Sequence, residues 1–518
     1  MVIEPNTVIR IYKNIPLDGT YNHTLLFTSA SQQKAYFSNP EHNIPVNSYQ
    51  RVVSGKMRIQ KRAEQLYNCN YLSFQNSNYG TKWFYAFITG VEFINNETSE
   101  ITFEIDVMQT YLFDVTLKQC FVVREHSVTD NIGENIKPEQ VATGEYIFSD
   151  YAPAMIMSEF CVILAIVDVD TASDGNLYDG IYGGAKLWAF KSTDVQGINT
   201  KIASYIQKPE SIVTAYMCPK AMLPDVPTGG IVVPYGANGG VYNILFDTIT
   251  GTESFGNYVP KNKKLYTYPF NYFNIDNASG QSLPLRYEFF DNLTPAITIQ
   301  GTITQPVKVI CRPISYKGVP SYSEAGGYTS LNTESITIES YPMCSWNTDT
   351  FKQWVAQNSV PLALNTVSNI ANATVASNYS VYPKASAITG TLGTVTGLLA
   401  QTYSASIAAD TCRGTFNNGC VNVATGKQQF YKSRVHVTEN FARMIDQYFD
   451  MFGYTCNEIK IPNRDSRPHW NFVKTNGCVL QGNAPVDYVR KICSIYDTGI
   501  TFWKNADDVG NYSLDNRP

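Results

Sequence analysis

The chain has 518 residues, 39 of them basic and 44 acidic, with a net charge of −5 and a pI near 5.7. Its Lys and Arg are scattered, which excludes the dense basic stripe of a nucleic-acid-binding domain. Five His with no two at ligand spacing, and eleven Cys without a CxxC pair, exclude the common structural zinc sites. The length allows three or four domains, and 35 Tyr with plentiful Asn favour sheets and turns.

The start Met1-Val-Ile-Glu-Pro lacks a basic end and an apolar run, so the chain is expected to be made in a cytoplasm without secretion. Thr7–Tyr12 is a predicted strand, ended by Pro16. Lys56–Arg62 alternates basic and apolar residues, and Trp83–Ile94 reads as an apolar, aromatic strand pair. Ile101, Phe103, Ile105 and Val107 alternate with Thr102, Glu104 and Asp106, the pattern of a half-buried strand. Asn95–Thr98 is the expected hairpin turn between them.

A polar, Gly-containing stretch, Thr129–Glu145, leads into a small α/β unit over roughly 140–225. Phe160–Val167 is continuously apolar, as for a strand covered on both faces. Asp179–Gly184 reads as a turn. Ser192 or Thr193 is the expected cap of a helix whose Val195, Ile198, Ile202 and Tyr205 share a face. Ser211–Met217 follows as a strand. From Gly229 the chain returns to β: Leu285, Tyr287 and Phe289 alternate, as do Ile297 and Ile299, Val307 and Val309, and Ile336 and Ile338.

Then the charge disappears. Between Gln353 and Ala409 the only charged residue is Lys384, in a chain that is 16% charged. Long insertions of this kind are uncommon in compact proteins, and those that occur are usually functional. Ala385–Ala409 is long enough to cross a bilayer as a helix. Its Ile388, Leu392, Val395, Leu398, Leu399 and Ile407 contribute roughly −3 kcal/mol on an insertion scale. Ser, Thr, Gly and Gln401 oppose that, so the balance is near zero and insertion would be conditional. Gly393 and Gly397 have the small-xxx-small spacing that permits close helix contact in lipid. The first half, Gln353–Pro383, carries five Asn and would insert less readily. Leu364, Val367, Ala371 and Val375 there fall on one helical face, with Ile370 nearby. The residues alone fit a membrane-active segment and a neutral loop or buried helix pair equally well. Cys412 and Cys420 flank the turn RGTFNNG, and their pairing stays open.

Charge returns after Gly426. Thr438–Phe452 is a predicted amphipathic helix with Phe441, Met444, Ile445 and Tyr448 inward, stopped by Gly453. Tyr454–Ile461 is a strand. A second helix starts at Pro485, capped by Asn483, with Asp487 early and Arg490 and Lys491 later, the order that the helix dipole favours. Gly499 precedes a last strand, Ile500–Trp503.

No P-loop, GxSxG or strand-following GxGxxG is present. Asp446 and Asp450 are expected on a solvated helix face. Arg124-Glu125-His126 reads as an interface or structural ion-pair group, and Arg464–Trp470 as a contact loop. The sequence therefore points to no catalytic residue, no cofactor and no metal.

Two blocks carry a resemblance. One is YLSFQNSNYGTKWFYAFITGVEF from Tyr71, continued by FEIDVMQTYLFDV and FVVREH, which ends at His126. The other is YFDMFGYTCNEIKIPNRDSRPHWNFVKT from Tyr448, continued by GNAPVDYVRKICSIYDTGITFWKN and NYSLDN. VIRIYKNIPLDGTYNHTLLFTS at Val8–Ser29 adds to them. Together they resemble the tail-knob, or distal tail tube, proteins of small short-tailed bacteriophages of the picovirus group, over residues 7–126 and 440–515.

The resemblance implies a mixed α+β, mainly β fold: tail-tube-like barrel or sandwich domains, a small α/β domain and a long hydrophobic loop insertion. On that frame residues 1–127 are an N-terminal tube domain and 128–225 the α/β domain. Residues 226–345 are a second tube domain, 346–430 the uncharged insertion, and 431–518 a C-terminal part completing the tube. The family reading implies a non-enzymatic homohexameric tube at the virion tail tip. Its insertions plug the lumen, then leave it on ejection to penetrate the host cytoplasmic membrane. The implied membrane-active residues are Leu364, Val367, Ile370, Val375, Ile388, Leu392, Gly393, Val395, Gly397, Leu398, Leu399 and Ile407. Implied partners are other copies of the chain, an upstream tail or collar protein and the membrane, with genomic DNA as a passenger. The weakly acidic composition suits a wall that does not retain DNA. Two other classes compete: a receptor-binding adhesin, favoured by Tyr and Asn, and a cell-wall hydrolase. Both would keep their activity without the insertion.

Overall fold

The computed structural model describes residues 7–39, 43–46, 49–76, 80–167, 176–178, 181–183, 185–205, 211–233, 238–304, 307–317, 334–339, 341, 343–346, 412–415 and 427–518. The fold is mainly β, as expected. The chain divides into two units that interleave along the sequence. One holds Met1–Glu145, Gly251–Thr267 and Thr438–Pro518; the other holds Tyr146–Thr250 and Tyr268–Val437.

The first unit has a seven-stranded antiparallel sheet in the order Asn43–Val46, Thr7–Lys13, Cys69–Asn76, Trp83–Asn95, Thr98–Ile105, Lys56–Ile59 and Tyr49–Val53. Successive side chains alternate faces, and both faces are covered. Ile9, Ile11, Leu72, Ala86 and Ile101 pack on one side. Tyr12, Tyr71, Tyr85 and Phe87 belong to the other side's core, with Trp470, Phe502 and Trp503. Those last three lie on a five-stranded sheet ordered His23–Leu25, Ile500–Trp503, Trp470–Asn476, Cys120–Glu125 and Tyr454–Lys460. His23–Leu25 runs parallel to Ile500–Trp503, so the two ends of the chain complete one core. Trp470, Trp503 and Tyr512 meet with ring centroids 5.1–5.2 Å apart.

Several local expectations need correction. Trp83–Asn95 is one strand and not a pair. Register shifts at Ile88/Gly90 and Phe93/Asn95 let it bend without ending. Val107 does not continue the alternation of Ile101–Ile105. Asp106 accepts from the Gln109 N–H at 3.0 Å and caps a short helix, Val107–Tyr111.

The helix Glu439–Phe452 buries Ala442, Ile445, Asp446 and Phe449, while Met444 is 56% exposed. The buried stripe is rotated by about 100°, one residue, from the expected one. Pro485 itself occupies the cap of Val486–Thr498, without a side-chain cap, because the Val489 N–H bonds to its carbonyl.

The second unit contains three main sheets. A six-stranded sheet is ordered Ile231–Val233, Ala185–Lys191, Phe160–Val167, Ile212–Pro219, Met343–Trp346 and Cys412–Thr415. Residues 160–166 of its central strand are buried, as the apolar run predicts. The helix Val195–Ser204 covers one face, with Ile198, Ile202 and Tyr205 against Val162, Leu164 and Phe190. Its cap is Asp194, not Ser192 or Thr193. Ser192 N–H still bonds to Phe160 O in the sheet, and Asp194 accepts from Gly197 N–H at 2.9 Å.

A second sheet is ordered Asn238–Leu245, Ala296–Thr302, Lys308–Pro313 and Ile336–Ile338. The third is ordered Tyr146–Pro153, Tyr431–Val437, Asn271–Asp276 and Ser282–Leu285. Tyr287 and Phe289 lie in a 3-10 turn beyond that last strand. The Phe289 and Phe290 N–H groups bond to Arg286 and Tyr287 carbonyls, and Tyr287 packs on Phe273.

Candidate functional site: the stem of the uncharged segment

Every residue expected to contact a membrane, from Leu364 to Ile407, lies outside the described residues, as does Cys420. What the structure places is the stem that carries them. Met343–Trp346 pairs antiparallel with Cys412–Thr415, with Trp346 opposite Cys412, Ser345 opposite Arg413 and Met343 opposite Thr415. Antiparallel partners lie roughly 4.5–5.5 Å apart. The described residues on either side of 347–411, Trp346 and Cys412, therefore lie side by side at the end of a sheet.

The stem is firmly based. Met343–Trp346 pairs on its other side with Ile212–Pro219, where Tyr216 opposes Met343 and Thr214 opposes Ser345. Tyr216 is buried, and its hydroxyl donates to the Ile303 carbonyl at 2.7 Å, next to the strand Ala296–Thr302. Ile212 and Ala215 face the helix side and join the core under Ile198. Trp188 closes that side, with Lys201 Nζ 3.5 Å from its ring centre. Burial pushes the Cys161 thiol up to about 11 and raises Cys218 and Tyr341 as well, so the ground beneath the stem is apolar. An ion pair, Lys220 to Glu159 at 2.8 Å, lies beyond the far end of the neighbouring strand. Among the described residues around the stem, no pair is arranged for proton transfer or nucleophilic attack. The arrangement brings the two ends of the segment that holds Gln353–Ala409 onto two short paired strands.

The other concentration of polar chemistry is in the first unit, and sequence reading places part of it wrongly. Asp446 is fully buried and not solvated, and Asp450 is half-buried. Asp446 accepts from the backbone N–H groups of Lys261 and Asn262 at 2.7 and 3.0 Å, from Asn262 Nδ2 and from the Tyr258 hydroxyl. Glu139, whose side chain is 1% exposed, pairs with buried Lys264 and with Arg124 and accepts from the Thr455 N–H at 2.8 Å. Burial lowers the Lys264 pKa.

The Arg124-Glu125-His126 triplet is structural, one of the two roles its sequence suggests. His126 Nδ1 accepts from Phe472 N–H at 2.8 Å, and Nε2 donates to the Asp450 carbonyl at 3.0 Å. Burial, reinforced by Arg467 and Arg124, pushes its pKa down to about 3. Both ring nitrogens and the Asp446 and Glu139 carboxylates are thus occupied by fixed partners, which is the condition of a scaffold and not of a general base. Residues 464–469 are a contact loop, with Arg467 N–H bonded to Asn471 Oδ1, and Trp470 already begins the strand that follows. Among the described residues no three His, Cys, Asp or Glu converge to hold a metal, and no described helix is long and apolar enough to cross a membrane.

The family model of the C-terminal domain of the Bacillus phage phi29 tail knob protein gp9 matches residues 239–517. That of the caudoviral major tail protein N-terminus matches residues 5–116. The chain is 24% identical to tail knob protein gp9 of Bacillus phage PZA and 23% identical to that of phi29, in each case over 98% of both chains. Its fold is similar to that of the bacteriophage C1 tail knob protein gp12, with a TM-score of 0.63 at 16% identity over 98% of this chain and 99% of that one. The first family match spans more than half of the sequence, and the chain belongs to the family of the phi29 tail knob protein gp9.

Proposed function

We propose that the chain is a structural tail-knob protein that forms a homohexameric tube at the virion tail tip. Copies of the uncharged excursion plug its lumen. On ejection they leave the tube and penetrate the host cytoplasmic membrane, so that DNA passes as an unbound passenger. An upstream tail or collar protein holds the other end of the tube. The observation that carries the reading is the stem: a segment with one charge in 57 positions, Gln353–Ala409, is held at both ends by a single strand pair. In this reading neighbouring copies shield the segment, since an exposed uncharged surface of that size drives association. Assembly is supported by Tyr146–Pro153, which pairs among the described strands only with Tyr431–Val437 and exposes Ile147, Phe148 and Tyr151.

The test replaces residues 347–411 with a short Gly-Ser turn joining Trp346 to Cys412. A conduit of this kind still assembles into six-fold rings and virions, and those virions adsorb but fail to deliver DNA. Normal delivery by the shortened protein rules the membrane role out. Loss of adsorption together with delivery points to an adhesin.

A further inference from the structure

The strand Tyr454–Lys460 ends the five-stranded sheet and pairs, among the described strands, only with Cys120–Glu125. Glu139 accepts from its Thr455 N–H at 2.8 Å and so closes the start of this edge. Beyond that point Ile459 is 75% exposed and stands directly opposite Phe121, 38% exposed, and the two make an apolar cross-strand pair on the outer face. Ile461, just past the strand, is exposed as well. So is Val479, whose carbonyl accepts from the Lys118 N–H at 2.9 Å, two residues before Cys120. Single exposed apolar residues are ordinary, but a group of them at an open sheet edge is a template for another chain.

This edge and Tyr146–Pro153 carry opposite charge. Glu145 and Asp150 bracket the exposed Tyr146, Ile147 and Phe148, and both acids are exposed. On the other edge Lys474 shares the outer face with Asn476, the residue opposite Phe121, and Lys118 borders Val479; both lysines are exposed. Among the described residues none of these four charges has an ion-pair partner. The remaining charges of the edge are offset within the chain, Glu458 by Lys137 at 3.7 Å and Lys460 by Glu125 at 2.5 Å.

We infer that the two edges are the two halves of one contact between copies of this chain: Tyr454–Lys460 of one copy receives Tyr146–Pro153 of the next. The inference rests on the ring proposed above and names the second face that the ring needs. A contact that repeats around a ring joins two different surfaces of the same chain, whereas an edge that pairs with its own kind stops at a dimer. Burial of Ile459 and Phe121 against the strand that carries Phe148 holds the contact. The charges decide which edge meets which, since two acidic edges or two basic ones repel.

The experiment mixes two full-length variants, each with one edge spoiled. Phe148→Glu keeps Tyr454–Lys460 intact, and Ile459→Glu keeps Tyr146–Pro153 intact. Alone, each is expected to scatter light as a monomer where the wild type gives rings. Mixed in equal amounts, they are expected to give a species of twice the monomer mass and nothing larger, because the one good edge of each meets and the spoiled edges cannot. Lys474→Glu is expected to need at least about tenfold more protein than the wild type to form rings at low salt, and the gap should shrink at high salt. Rings formed by Ile459→Glu alone, or a mixture that stays monomeric, overturn this pairing and leave the ring standing. Dimers formed by either variant alone show an edge that pairs with its own kind and overturn it too. A wild type that is monomeric at every concentration removes the ring and the inference with it. If Ile459→Glu does not fold, Lys474→Glu decides, and rings at the wild-type concentration overturn the pairing.

Discussion

Asn262 Nδ2 donates to Asp446 Oδ1 at 2.8 Å across a sequence separation of 184 residues. Through this bond and those from the Lys261 and Asn262 N–H groups, the segment Gly251–Thr267 is tied to the helix Glu439–Phe452 within one unit. Asp446→Ala leaves several buried donors without an acceptor, each costing about 1–3 kcal/mol. The variant is expected to lose roughly 3 kcal/mol or more. Met444→Ala, on the exposed side of the same helix, is expected to change stability by less than about 0.5 kcal/mol. Urea midpoints of the two variants check the contrast, and equal losses would contradict it.

His126 makes stability depend on pH. Its folded pKa of about 3 lies below the ordinary histidine value of 6.5. As the pH falls through 6.5 the unfolded chain takes up a proton that the folded chain refuses, so stability drops progressively down to about pH 3. The limiting slope is about 1.4 kcal/mol per pH unit. Asp106 acts in the opposite direction. Burial raises its pKa from 3.8 to about 6, so the folded chain binds the extra proton and stability rises as the pH falls from 6 to 3.8. The slope of stability against pH, between about pH 4 and 6, is therefore expected to be less positive in His126→Gln and more positive in Asp106→Asn. Thermal midpoints across that range measure both, and parallel profiles for all three proteins would refute the assignment.

Gly453 ends the helix at φ +64°, and a Cβ there would run into the Glu125 carbonyl and the His126 backbone nitrogen. Both partners belong to a buried strand end, so neither can yield. Gly80 has a similar φ, +75°, but a Cβ added to it would meet nothing within 4 Å. Gly80→Ala is expected to cost only the left-handed backbone penalty of about 1–2 kcal/mol. Gly453→Ala is expected to cost clearly more, enough to lower expression of folded protein. Equal effects would show that the contact at Glu125 relaxes.

Local periodicity is enough to find Thr7–Lys13, Phe160–Val167 and Ile500–Trp503, because the first and last, and residues 160–166 of the second, bury side chains in the pattern the sequence displays. It misplaces the inward face of Glu439–Phe452 because Asp446 counts as polar in any pattern, yet four donor groups satisfy its carboxylate and make burial favourable. Those donors are brought in by Tyr258, Lys261 and Asn262, which no local window can reveal. Trp83–Asn95 is legible as a strand but not as a single one, since bulges leave no periodic trace. The uncharged segment is legible from composition alone. Its stem is not, because Met343–Trp346 and Cys412–Thr415 are too short to stand out and find each other only across the excursion.

Phe148 tests the assembly. It is 60% exposed on Tyr146–Pro153, opposite Val435 on the neighbouring strand. An exposed aromatic contributes little to the fold of the single chain, so Phe148→Glu is expected to leave stability within about 0.5 kcal/mol of the wild type, read from urea midpoints. In a ring closed by six heterologous contacts, the same charge would be desolvated at every interface. Light scattering should then show monomers where the wild type gives one large species. A wild-type ring that survives the substitution would place the interface elsewhere.

Membrane penetration is tested by two substitutions that differ in position and not in kind. One copy of Ala385–Ala409 is near zero in insertion free energy, because about −3 kcal/mol from its six apolar residues is offset by its Ser, Thr, Gly and Gln401. A single loop is then a poor inserter. On the proposed ring, six copies would have a high effective concentration, and weak insertions would become collective. Gly393 and Gly397 allow neighbouring copies to approach closely. Leu398→Asp adds roughly 3 kcal/mol per copy at mid-bilayer and is expected to abolish dye release from liposomes while rings still form. Asn365→Asp, in the half with five Asn, should reduce release far less. Equal loss from the two changes would extend the membrane contact over the whole segment. Full release from both, with normal DNA delivery, would leave the segment a plug and nothing more.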